Sequence, residues 1–156
     1  MTDCVARASM LVHCAPQAAF DAFVYPDTVT RFWLAATSGP LVPDAEVAWR
    51  FMVPGATETV KVRAFDSPRR IAFDWSDGLR VELGFQAFGA GSTRVAVTVD
   101  GFAGEGAAAE MATATEGFSI VLCDLKTLIE TGRSANLVRD KARLIAQSQS
   151  EPVGDG

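Results

Sequence analysis

The sequence contains one histidine (His13), one asparagine (Asn136), one tyrosine and three cysteines in 156 residues. Cys4, Cys14 and Cys123 form no C-x-x-C pair and have no spaced histidines, so neither a disulfide framework nor a zinc site is implied. Reduced thiols fit this pattern. Nothing in the sequence gives His13 a positioned partner, and there is no Ser-His-Asp order, no P-loop and no G-x-G-x-x-G. No cofactor and no metal is implied. Positive charge is also in short supply: 14 Lys and Arg stand against 19 Asp and Glu, a net charge of −5. A nucleic-acid partner needs clustered cations to displace counterions from phosphate, and anionic lipid attracts basic surfaces. Neither nucleic acid nor membrane is expected as a partner. No apolar run reaches the length of a membrane span, and the opening MTDCVARASM lacks a basic stretch followed by an apolar one. A cytoplasmic protein is expected.

Hydrophobic residues make up 49 % of the chain and charged residues 21 %, which suits one globular domain. That domain is expected over residues 1–147, followed by a flexible, polar tail over 148–156 (SQSEPVGDG). Val5–Val12 is β-compatible. Pro16 then opens a short helix with Phe20, Phe23 and Val24 on one face. Pro26 opens a second, PDTVTRFWL, with Val29, Phe32 and Trp33 at the same spacing. From Gly39 the period changes to two. AEVAWRFMV, TETVKVRAF, RRIAFDW, LRVELGFQAF and STRVAVTVDG each alternate apolar with polar residues. Turn signals such as Pro54-Gly55, Asp77-Gly78 and Gly89-Ala90-Gly91 separate them. Five such strands in succession read as an antiparallel meander.

Ala107–Thr131 contains no proline and repeats Met111, Thr115, Phe118, Leu122, Leu125 and Ile129 at helical spacing. A helix of this length spans about 37 Å, enough to cross a small sheet, and Gly132 suits its C-terminal cap. SANLVRDKARLIAQ (134–147) adds an amphipathic helix, with Ser134 as its N-cap and Leu137, Val138, Lys141, Leu144 and Ile145 on one side. The predicted fold class is α+β: a curved six-stranded antiparallel sheet, two short helices, a long C-terminal helix and one extra terminal helix.

Four stretches carry a family resemblance: APQAAFDAFVYPDTVTRFW (Ala15–Trp33), SPRRIAFDW (Ser67–Trp75), GSTRVAVTVDGF (Gly91–Phe102) and GFSIVLCDLKTLIE (Gly117–Glu130). With their spacing they cover nearly all of Val5–Thr131. In them the chain resembles the helix-grip fold of the START-like (SRPBCC) superfamily. Its nearest branch is named after the activator homologue of the heat-shock chaperone's ATPase. The helix after Arg133 lies beyond that pattern. The resemblance implies the helix-grip fold and a cavity between the long helix and the sheet. It also implies a link to chaperone and stress response. The Trp-His-Trp motif of the eponymous activator's other domain does not occur in this sequence.

Fourteen aromatic residues (ten Phe, three Trp, one Tyr) fall largely on inward-facing positions. Most belong to a packed core. A straight helix on a curved sheet also leaves volume, so a hydrophobic or amphipathic small molecule is the expected ligand. Its candidate contacts are Phe32, Trp33, Trp49, Phe51, Phe73, Trp75, Phe85, Phe118 and Leu122. Gly117 costs the long helix about 1 kcal/mol relative to Ala; a close contact is the expected reason, a widened pocket wall the alternative. His13 is expected at the surface or in a capping role. Arg50, Arg80 and Arg94 alternate away from the apolar face, as solvated charges do, with Asp74 and Glu82 ambiguous. No catalytic constellation is evident. Two other functions remain open. One is a chaperone- or stress-linked interaction module without a pocket. The other is a cyclase- or hydrolase-like enzyme, which needs two polar residues converging in the cavity. Leu137, Val138, Leu144 and Ile145 suggest a homodimer through the extra helix.

Overall fold

A computed structural model describes residues 4–150. Seven strands form one antiparallel sheet: β1 (Ala6–Val12), β2 (Leu34–Thr37), β3 (Glu46–Phe51), β4 (Thr57–Asp66), β5 (Arg70–Trp75), β6 (Arg80–Ala87) and β7 (Thr93–Asp100). Their order is β1-β7-β6-β5-β4-β3-β2. The consecutive strands β2 to β7 make a meander, and β1 joins by pairing with β7 from Ala6↔Val99 to Val12↔Thr93. Alternation decides which side chains enter the core. Val47 and Trp49, Val60 and Val62, Val81, Leu83 and Phe85, and Val95, Val97 and Val99 are buried. Arg50, Lys61, Arg80 and Arg94 point away and are exposed. Register shifts at Leu34/Ala36 and Val62/Ala64 bend the strands and strengthen the sheet's twist.

The sheet has seven strands where the sequence suggests six. The added strand is β2. The second helix, expected to reach Leu34, ends earlier as α2 (Pro26–Phe32), because Trp33 leaves helical geometry (φ −133°, ψ −53°). Leu34 then pairs with Phe51, and Thr37 with Trp49. Four residues, LAAT, are too few to show alternation. The apolar spacing of Val29, Phe32 and Trp33 also reads smoothly as helix across the boundary.

Helix α1 (Pro16–Val24) and α2 bury Phe20, Phe23, Val29 and Phe32. Helix α3 runs over Ala107–Thr131, and Gly132 closes it in the left-handed conformation (φ 80°), donating its N–H to Leu128 O at 2.8 Å. The C-terminal half of α3 packs tightly: Leu122 and Leu125 are completely buried. A polar clamp ties this half to the end of β1. Lys126 Nζ donates to Leu11 O and to Glu130 Oε2, both at 2.7 Å, and Glu130 Oε2 also accepts the His13 backbone N–H at 2.9 Å. The Lys126 ammonium, then the His13 N–H, hold the Glu130 carboxyl below its ordinary range. Among the described residues no helix is long and apolar enough to cross a membrane.

Helix α4 spans Leu137–Ser150, later at both ends than expected. It therefore takes up the start of the polar 148–156 stretch, while residues 151–156 lie outside the described residues. Ser134 does not cap it. Asn136, in the left-handed region (φ 59°), turns the chain just before the helix. The cap comes instead from Asp124 on α3, which is 1 % exposed. Its Oδ2 accepts the Val138 N–H (3.3 Å), and its Oδ1 accepts the Ala135 N–H (3.3 Å) and the Ser134 hydroxyl (2.9 Å). The first N–H groups of a helix lack internal partners, and a carboxylate there also suits the helix dipole. Asp124→Ala is expected to cost about 2 kcal/mol and to strip hydrogen-exchange protection from α4 while the sheet keeps its own. Equal loss of protection in sheet and α4 would show that this carboxylate supports the whole core instead.

Candidate functional site

A cavity of about 320 Å³ lies beside the middle of α3. Ala114, Gly117, Phe118 and Val121 form one wall, at helical spacing along α3. Val138, Lys141, Ala142 and Ile145 form the wall opposite, at i, i+3, i+4 and i+7 of α4. Trp33, Phe51, Trp75 and the turn residues Met52, Val53 and Ala56 complete it, with Ile120 at the side. Its lining is almost wholly apolar.

Of the nine candidate contacts, Trp33, Phe51, Trp75 and Phe118 line this cavity. Phe32, Trp49, Phe73, Phe85 and Leu122 do not; they are buried behind it as packed core. The rings nevertheless form one connected system. Trp33 meets Trp49 edge to face at 4.9 Å, Trp49 meets Phe73 at 5.2 Å, and Trp75 stacks on Phe118 at 6.0 Å with 15° between planes. The buried members hold the lining members in place, a role that alternation alone cannot separate from ligand contact.

Gly117 makes no close contact. A Cβ built on it would meet no atom within 4 Å, so the tight approach suggested by the sequence is not what this glycine serves. The missing side chain instead leaves space in the cavity wall. Trp75 carries another irregularity: its Nε1–H is buried with no acceptor, the one buried side-chain N or O atom without a partner among the described residues. Such a donor costs stability.

The charged residues singled out in the sequence do not enter this cavity. Arg50, Arg80 and Arg94 are exposed. Asp74 pairs with Arg63 at 3.0 Å, and Glu82 pairs with Arg70. His13 is exposed, its Nδ1 2.8 Å from Ser92 Oγ. The only charged lining residue is Lys141. The sequence places it on the apolar side of α4, without deciding whether that side docks on its own domain or on a second copy. Val138 and Ile145, candidates for a dimer contact, likewise face inward. Ala114 and Val121 were visible in the α3 stripe, but nothing local marked Met52, Val53 or Ala56.

A twisted antiparallel sheet gripped by a long helix, with an apolar recess between them, defines a START-like helix-grip domain. The family model for the Activator of Hsp90 ATPase homolog 1-like protein matches residues 13–130, and the chain belongs to that family. No curated protein sequence matches it. Among solved structures it is similar to the protein SSP2350 from Staphylococcus saprophyticus (23 % identity, 83 % of this chain and 94 % of that one, TM-score 0.75). It is also similar to the Aha1 dimer from Colwellia psychrerythraea (17 %, 86 % and 100 %, TM-score 0.75) and to the AHSA1-like protein from Aeromonas hydrophila (21 %, 81 % and 93 %, TM-score 0.61). At these identities the likeness is one of fold. The matched region ends before α4, so one wall of the cavity lies outside the family pattern.

Trp75→Phe removes the unpaired donor and keeps a ring against Phe118. Its unfolding free energy is expected to stay within about 1 kcal/mol of wild type, since the lost indole volume and the relieved donor oppose each other. A much larger loss in urea denaturation would mean that the N–H is satisfied in solution.

Proposed function

We propose that this chain binds a hydrophobic or amphipathic small molecule in the cavity between α3, α4 and the sheet. The observation that carries this is Gly117. A glycine in the middle of a 25-residue helix costs stability, and the only thing gained in its surroundings is open volume inside an apolar, aromatic-lined recess. A closed interaction module would gain by filling that space. An enzyme of cyclase or hydrolase type would need a second polar group in the lining beside Lys141.

Native mass spectrometry of gently purified protein, followed by a thermal-shift screen of lipids and aromatic compounds, tests this reading. Stabilisation by at least one apolar compound is expected, and Gly117→Leu, which fills the cavity with a good helix former, should abolish it without lowering the melting temperature. An unchanged response in Gly117→Leu would place binding elsewhere; no response in the wild type would favour the interaction module.

Self-association through α4 is a second reading, supported by the two apolar residues that this helix leaves outside: Leu144 is 62 % exposed and Leu137 37 %. With Val138 and Ile145 committed to the cavity wall, a dimer contact has to centre on these two. Leu144→Glu is then expected to convert a dimer to a monomer in light scattering, and the same mass for both proteins would remove this reading.

A further inference from the structure

The cavity lining has an electrical asymmetry. Its aromatic and aliphatic walls include the stem of one residue with a charged end, Lys141, whose ammonium lies at the rim. Lys141 Nζ lies 2.9 Å from Glu116 Oε1, with the two side chains 32 % and 57 % exposed. The partners stand differently towards the recess: Lys141 is part of its lining, whereas Glu116 is not. The helical spacing explains this. Val138, Lys141, Ala142 and Ile145 share the inward side of α4, so the lysine stem runs along the wall and its ammonium ends where Glu116 on α3 can reach it.

We infer that the cavity selects anionic amphiphiles, with a flat apolar body between the indole and phenyl walls and one carboxylate on Lys141. The inference rests on the cavity being a binding site and names the class of ligand it takes. An ion pair with a largely solvated carboxylate is weak, so Glu116 yields or shares the ammonium at little cost; an ammonium has more N–H donors than one contact uses. A ligand carboxylate would sit at the mouth on this ammonium, with the apolar body held by the walls below. With a net charge of −5, the chain offers anions no long-range steering. The preference therefore comes from this local contact.

Calorimetric titration with naphthaleneacetate and its neutral near-isostere naphthaleneacetamide tests the assignment. Wild-type protein is expected to bind the carboxylate roughly tenfold more tightly than the amide, the factor a charge-assisted hydrogen bond supplies. Lys141→Gln, at a partly exposed position, should bind both alike, and Lys141→Arg should keep the preference. Equal binding of the two probes to wild type would overturn the anionic class and leave the apolar cavity standing. The same preference in Lys141→Gln would overturn the role of Lys141. Failure of both probes to bind would overturn the cavity as a site, and this inference with it.

Discussion

A straight helix cannot follow a twisted sheet along its whole length, and the arrangement of this domain follows from that mismatch. Helix α3 meets the sheet closely where Leu122, Leu125 and Leu128 are buried and where Lys126 and Glu130 clamp it to the end of β1. The cavity lies beside the middle of the helix, next to this packed stretch. Two small residues, Ala114 and Gly117, stand in its wall, so α3 itself does not fill the space. Close packing and a cavity thus adjoin along one helix.

A second wall of the recess comes from α4. That helix is short and amphipathic, and its docking depends on the buried Asp124 carboxylate as much as on apolar contact. A carboxylate this deep is stable only because Ser134 and the N–H groups of Ala135 and Val138 satisfy it. The cap also fixes the rotation of α4. Once Val138 is held at Asp124, Lys141, Ala142 and Ile145 must face the recess and Leu144 must face outwards. The only charged residue in the lining is thus placed by a hydrogen bond less than one turn away. The family match ends at residue 130, so the wall bearing Lys141, on α4, lies beyond the region that defines the family.

Much of the fold was legible because its elements are long compared with their periods. The alternation in β6 and β7 and the stripe of α3 repeat several times, and α3 ends at the glycine that a helix terminus favours. Where the repeat is short the reading fails. Strand β2 has four residues, too few to establish a period, and the spacing of Val29, Phe32 and Trp33 extends the preceding helix across it. Ser134 looked like a cap because its residue type is right, but a cap is defined by who accepts the first N–H groups, and a residue from another helix does so here.

The sequence by itself determined which residues are inside, since burial of apolar side chains depends on periodicity and transfer from water, both written locally. It determined the family, and it marked Lys141 as lying on the apolar side of its helix. Only the tertiary structure decided which aromatic residues are packed core and which line the recess. Phe73 and Trp75 share a strand, a face and a chemistry, and differ only in what lies opposite them. A cavity is the absence of a neighbour, and no residue encodes that alone: it arises where several elements meet without filling the space between them.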